Sequence, residues 1–149
     1  MKQHVDFIDP AKTGLLLIDI QENLMPLIER GPEIVHATSK LVKTAQLLEV
    51  PVRSTEQVRL GSTLAEIQSW GLEPAYKKSS FSCMRDETLQ KVLMESPVEE
   101  WILCGIEAHI CVLQTAKDLL KAGKRVSIPN DTISSRSIFD FSTAIAELR

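Results

Sequence analysis

Three side chains suited to acyl-transfer chemistry stand at or just past stretches of this sequence that read as strands: Asp19, Lys78 and Cys111. Cys111 lies in Gly105-Ile106-Glu107-Ala108-His109-Ile110-Cys111-Val112, after the apolar run Trp101 to Cys104 and before Leu113 to Leu120. The first run reads as a buried strand and the second as a helix. A cysteine at the first turn of a helix meets unpaired backbone N–H groups and the positive end of the helix dipole, and both favour a thiolate. Asp19 ends another apolar run, in Ile18-Asp19-Ile20-Gln21, and Lys78 ends a short stretch read as a strand, in Tyr76-Lys77-Lys78-Ser79-Ser80-Phe81-Ser82. A carboxylate can take a thiol proton, and an ammonium can hold the resulting thiolate.

Each of these residue types also has a purely structural use. An aspartate at a strand end serves as a turn former or helix cap. Lys78 beside Lys77 reads on composition as a solvated lysine, and a cysteine such as Cys111 is often a small buried hydrophobe. Cys104, inside its apolar run, is expected to be that. Cys83 lies on a polar loop and is expected to be exposed and open to oxidation. His109 stands two positions before Cys111, a spacing that does not put both on one helical face. It reads as a substrate contact or as a surface or capping histidine. His4 and His36 have no carboxylate or cysteine at ligand spacing.

The elements that must carry these residues alternate between strand and helix. Strands are expected at Leu15 to Ile20, Pro51 to Ser54, Ala75 to Lys78, Glu99 to Gly105 and Lys124 to Ile128. Helices are expected at Pro32 to Leu48, Thr63 to Trp70, Glu87 to Met94, Ala108 to Ala122 and Ser137 to Leu148. The first helix shows Ile34, Ala37, Leu41, Ala45 and Leu48 at helical spacing, and the third turns Leu89, Val92 and Leu93 inward. Pro51 stops the first helix, and Gly71 and Gly123 close two others. This alternation predicts an α/β fold: a three-layer αβα, Rossmann-like architecture around a mostly parallel, doubly wound sheet. In such a sheet the reactive crevice opens at the carboxyl ends of the strands, where Asp19, Thr55-Glu56-Gln57, Lys78 and Cys111 all fall.

The bulk numbers bound the function. With 149 residues, 44% of them hydrophobic and 25% charged, the chain has the length and composition of one soluble domain, residues 1–149. A formal net charge of −3 gives no electrostatic case for nucleic acid or an anionic membrane as partner. The run Gly14 to Ile18 is too short to span a bilayer, and the polar residues His4 and Asp6 after Lys2 leave no signal-peptide core, so a cytoplasmic location is expected. Three cysteines with no C-x-x-C pair argue against a disulfide framework and a tetrahedral zinc site.

Four stretches together resemble the isochorismatase-like cysteine hydrolases, the superfamily that includes nicotinamidases and carbamoylsarcosine-type amidohydrolases. Leu15 to Asn23 resembles its strand ending in Asp-x-Gln, and Lys78-Ser79-Ser80-Phe81-Ser82 its Lys-x-x-Phe-Ser segment. Gly105 to Val112 with Thr115-Ala116 resembles the nucleophile motif, and Gly123 to Asp131 the strand that follows. The resemblance implies a triad of Asp19, Lys78 and Cys111, with the cysteine attacking a carbonyl to give a covalent intermediate that water resolves. It further implies a non-proline cis peptide joining Ile106 to Glu107, and an oxyanion hole from the N–H groups of Glu107 and Cys111. Leu24, Gln57, Phe81 and His109 are the expected substrate contacts, and Glu56 is an alternative to Gln57.

There are departures from the family pattern. Nicotinamidase-type members carry an Asp-x-His and a further histidine for a metal; the stretch Arg53-Ser54-Thr55-Glu56-Gln57-Val58-Arg59 has no histidine. Neither a metal nor any other cofactor is expected. Retention of the cysteine favours a small amide-like or related carbonyl substrate. Family members usually add a further strand and helix beyond the position of Arg149, and commonly assemble as homo-oligomers. The competing expectations are an interaction protein that keeps the fold without a working site, and a redox sensor acting through Cys111.

Overall fold

The structure is a computed structural model and describes residues 7–95 and 97–149. Lys2, His4 and Asp6 lie outside the described residues. Among the described residues, eleven strands and α-helices follow in chain order: β1 (Thr13–Ile18), α1 (Gly31–Leu47), β2 (Val52–Gln57), α2 (Ala65–Gln68), β3 (Tyr76–Lys78), α3 (Glu87–Met94), β4 (Glu100–Ile106), α4 (Leu113–Lys121), β5 (Arg125–Ser127), β6 (Ile133–Ser134) and α5 (Ile138–Leu148). The strands run in the order β3-β2-β1-β4-β5, every pair parallel, and β6 also pairs with β4.

Strand alternation sorts the core into two layers. Leu16, Ile18 and Leu103 turn to one face, where Leu89, Leu93, Ala116, Leu119 and Ala144 of α3, α4 and α5 cover them. Leu15, Leu17, Cys104 and Ile106 turn to the other, against Val35, Val42 and Ala45 of α1 and Ile67 of α2. Every residue of β1 is buried, as a central strand covered on both faces requires. Full burial of each of its leucines contributes about 2 kcal/mol relative to exposure.

Three local departures from the sequence reading have clear causes. The buried face of α1 is Ile34, Val35, Thr38, Val42 and Ala45, not the stripe through Ala37, Leu41 and Leu48. A polar residue, Thr38, occupies the centre of the true face, and Leu48 is half exposed at the helix end. The helix expected from Ala108 opens as a wide π-type turn, Ala108–Val112, before α4 begins. The extra strand β6 is two residues long, too short for any period to register. It pairs with Gly105 and Ile106, while β5 pairs with Glu100 to Ile102, so the two share one edge of β4 end to end.

Close backbone approach fixes the β1–β4 seam. Gly105 has φ +122°, and a Cβ there would stand 2.1 Å from the Ile18 carbonyl oxygen. Only glycine lets β4 run this close to the strand end that delivers Asp19.

Candidate active site

At the carboxyl end of β1 the chain turns left-handed at Asp19, φ +53°. Aspartate tolerates this region better than most residues, although it still carries strain. The turn is held by β2: the Asp19 N–H reaches the Thr55 carbonyl oxygen at 3.2 Å, and the Thr55 hydroxyl donates to Asp19 Oδ1 at 2.7 Å. That leaves Asp19 Oδ2 for Lys78, whose Nζ lies 2.9 Å away.

Lys78 is one of the most deeply buried side chains, 1% exposed. Composition suggested a solvated lysine. Strand register overrides it, because Lys78 pairs with Gln57 and Lys77 with Glu56 on alternate faces of the sheet. Thr55, Gln57 and Lys78 therefore turn toward the cluster. Ser54, Glu56 and Lys77 line a separate cleft on the α2 face, with Ile67 and Leu72. Glu56 Oε1 accepts there from the Thr63 N–H and hydroxyl, both at 2.9 Å. Glu56 is thus removed from the expected pocket.

The Lys78 ammonium has three protons and five acceptors in reach: Gln57 Oε1 at 2.6 Å, Asp19 Oδ2 at 2.9 Å, the carbonyl oxygens of Ser80 and Phe81 at 3.0 and 3.1 Å, and Cys111 Sγ at 3.6 Å. Burial alone would lower its pKa, but the negative charge of Asp19, the neighbouring Cys83 and Cys111 and the Asp19 hydrogen bond outweigh it, and the pKa is raised. Lys78 is therefore a fixed cation. The Cys111 thiol is pushed up by burial and by the Asp19 carboxylate, against the opposing pull of Lys78. At rest the sulfur carries its proton, and the adjacent Asp19 carboxylate favours that form.

The Cys111 turn is bounded by irregular backbone. The Ile106–Glu107 peptide is cis. Among the described residues, neither the Glu107 nor the Cys111 N–H donates a hydrogen bond outside the regular helix and strand ladders. The Glu107 side chain, 5% exposed, accepts from the Arg136 N–H at 3.1 Å and from Arg136 Nε at 3.0 Å, which ties the turn to the segment between β6 and α5.

The remaining predicted residues are distributed differently. Gln57 enters the cluster by binding Lys78, and its Nε2 donates to the Ser79 carbonyl at 3.0 Å. Phe81 contributes its carbonyl oxygen to Lys78, while its ring is 58% exposed. Leu24 packs against the core on the α1 face. His109 pairs with the Ser135 hydroxyl at 2.9 Å and faces Glu107 and Asp140. Cys104 is buried. Cys83 is fully buried too, contrary to the expected exposed thiol: Ser82 caps a short turn that rolls Cys83 inward, where its N–H donates to the Thr115 hydroxyl at 3.0 Å. Thr55, placed at a strand end by the sequence but given no role there, holds Asp19. The signal for it was its place two residues before Gln57 on the same strand face. Among the described residues, no three His, Cys, Asp or Glu side chains converge as a metal-ligand set, and no helix is long and apolar enough to cross a membrane.

The isochorismatase domain matches residues 13–149. Isochorismatase domain-containing protein 2A of Mus musculus is 40% identical over 143 residues, 94% of this chain and 68% of that protein. The secreted isochorismatase effector Isc1 of Phytophthora sojae is 38% identical over 148 residues, 94% of this chain and 70% of that protein. Among solved structures, one described as the MAR1 ribonuclease from Caenorhabditis elegans superposes with a TM-score of 0.87 at 36% identity, covering 95% of this chain and 74% of that one. The nicotinamidase of Staphylococcus aureus shares the fold, with a TM-score of 0.84 at 14% identity over 93% of each chain. This chain belongs to the isochorismatase domain family.

Proposed function

We propose that this protein is a cysteine hydrolase of a small amide-like or related carbonyl substrate. The observation that carries the reading is one buried ammonium, Lys78, within 2.9 Å of the Asp19 carboxylate and 3.6 Å of the Cys111 sulfur. A fixed cation between an acid and a thiol is what proton transfer and thiolate attack need.

In this reading Asp19 takes the Cys111 proton as the sulfur attacks the carbonyl carbon. Lys78 keeps its proton throughout and balances the charge that passes between carboxylate and sulfur. The oxyanion is received by the N–H groups of Glu107 and Cys111; one such donor is typically worth about 3–4 kcal/mol in the transition state. Asp19 returns its proton to the leaving amine, and the acyl group remains on sulfur. Water then attacks the thioester, giving a proton to Asp19, and Cys111 departs and is reprotonated. The resting thiol's raised pKa fits a nucleophile deprotonated in concert with attack rather than beforehand.

An interaction protein without a working site has less support, because its side chains would have no reason to converge on one buried cation. We also propose a homo-oligomer in the cytoplasm. Three buried free thiols fit a reducing compartment, although one relative is named as secreted.

The test is a panel of small amides, with RNA included because one structural relative is described as a ribonuclease, assayed with wild type and Cys111→Ala. The expected result is amide hydrolysis lost in the variant, with an acyl adduct on Cys111 caught by mass spectrometry. Hydrolysis that survives in Cys111→Ala would sink the mechanism.

A further inference from the structure

We infer that Gln57 is a positioning residue for the Lys78–Cys111 pair, and that Gln21 in turn holds Gln57. Its catalytic consequence rests on the hydrolase reading above; its effect on Cys111 does not. Gln57 Oε1 makes the shortest contact to Lys78, 2.6 Å. The orientation of the amide is dictated, since an ammonium has no lone pair to accept from an NH2. The oxygen must face Lys78, and the NH2 then donates to the Ser79 carbonyl at 3.0 Å, in the segment whose next two carbonyls also hold the ammonium.

The backbone of Gln57 is fixed as firmly. The β1–β2 register ends at Ile18 and Thr55, so Gln57 has no strand partner on that side. Gln21 replaces it. Its Oε1 accepts from the Gln57 N–H at 2.7 Å, and its Nε2 donates to the Gln57 carbonyl at 2.9 Å and to the Gly61 carbonyl at 2.8 Å. Gln21 is fully buried and its amide imitates one more residue of strand. The same loop thus delivers Asp19 and, two residues later, the brace for Gln57.

The neutrality of Gln57 matters as much as its reach. The charged or titratable groups facing Lys78 are Asp19 from the end of β1, Cys83 from the turn before α3, and Cys111. Asp19 already opposes the Cys111 thiolate, and a second carboxylate would oppose it further. Without any acceptor at residue 57, the ammonium has one proton to re-pair. Cys111 Sγ, its longest contact and the one least served while five acceptors compete for three protons, is the partner that gains. A positioning role therefore predicts a less accessible thiolate with glutamate at residue 57 and a more accessible one with an apolar residue there. A substrate-contact role predicts no change from the apolar residue, while an added carboxylate opposes the thiolate under either role.

The experiment measures the rate of iodoacetamide alkylation at Cys111 against pH, read by mass spectrometry, in wild type, Gln57→Glu and Gln57→Met. The expected result is an upward shift of the alkylation midpoint by about one unit in Gln57→Glu, and a smaller downward shift in Gln57→Met. Gln21→Met should move it as Gln57→Met does, less again. On an amide that wild type hydrolyses, kcat should fall in Gln57→Glu while KM holds. A midpoint unmoved in Gln57→Met and Gln21→Met overturns the inference, and a raised KM beside it would make Gln57 a substrate contact. Gln57→Asn keeps a neutral amide but draws its oxygen away from Lys78, so the same downward shift decides the matter where Gln57→Met does not fold. If wild type hydrolyses nothing, the hydrolase reading fails, while the alkylation profile still decides the role of Gln57.

Discussion

The two flanks of the β1–β4 seam build the cluster by different means. On the β1–β3 flank, regular strand alternation places side chains: Thr55, Gln57 and Lys78 turn to one face while Ser54, Glu56 and Lys77 turn to the other. On the β4–β6 flank the backbone itself does the placing. Gly105 at φ +122°, the cis Ile106–Glu107 peptide and the π-type turn Ala108–Val112 succeed one another within eight residues. The first flank sets charge, and the second sets where Cys111, the proposed nucleophile, and the N–H groups beside it stand. Substitutions should separate the two roles.

The largest effect belongs to Cys111, the proposed nucleophile. Cys111→Ala should lower turnover by about three orders of magnitude or more and leave the thermal midpoint within a few degrees of wild type, because it removes one partly screened thiol from a turn held by other bonds. Retained turnover would dissolve the distinction between flanks, since the turn would then present nothing that reacts.

The charge flank should behave in the opposite way. Asp19 and Lys78 are 1% and 0% exposed at their side chains. Lys78→Met leaves a carboxylate buried without its cation, a loss of about 3–5 kcal/mol in stability. Adding Asp19→Asn should recover most of that stability and none of the turnover, which denaturant titration and an activity assay would read side by side. A single variant as stable as wild type would mean that water reaches Asp19.

The backbone flank should break through geometry alone. Gly105→Ala drives a Cβ to 2.1 Å from the Ile18 carbonyl and should cost about 2–4 kcal/mol. Gly71→Ala is the control. Gly71 also has positive φ, +73°, but nothing lies within 4 Å of an added Cβ, so it should cost only about 1 kcal/mol. Equal losses at both positions would assign the effect to φ and remove the close approach from the account.

This division explains what was legible in the sequence. The five longer strands, and helices such as Glu87–Met94, follow from apolar runs, caps and breakers, which are local signals. Asp19 and Cys111 were visible because each follows such a run, and Lys78 because it ends a short stretch read as a strand. The burial of Lys78 was not, because it depends on the pairing of β3 with β2, which no single segment encodes. The same long-range dependence hid the inward roll of Cys83 against Thr115, the opposite facing of Glu56 and Gln57, and the brace from Gln21. The family resemblance supplied a place for the cis peptide; apolar periodicity carries no sign of it, nor of the π-type turn.

The smallest effect compares two buried thiols, one beside each flank. Burial pushes Cys83 up to about 11, with the Lys78 charge and the Thr115 hydrogen bond pulling it back. Burial pushes Cys104 on β4 up to about 12, opposed only by the nearby Thr38 hydroxyl. In both cases the unfolded thiol titrates near 9.0 while the folded one keeps its proton. Their stabilising contribution is therefore complete below pH 9 and is lost as pH rises through the folded values. Lys78, raised above 10.5, and Cys111, raised above 9.0, add losses of the same sign. Urea midpoints should be flat from pH 6 to 8 and fall from about pH 9 upward. Cys83→Ala should flatten the decline up to about pH 11, whereas Cys104→Ala should flatten it up to about pH 12. Identical profiles for the two variants would mean that Lys78 exerts no pull on Cys83, and that its charge is spent on Asp19 and Cys111 alone.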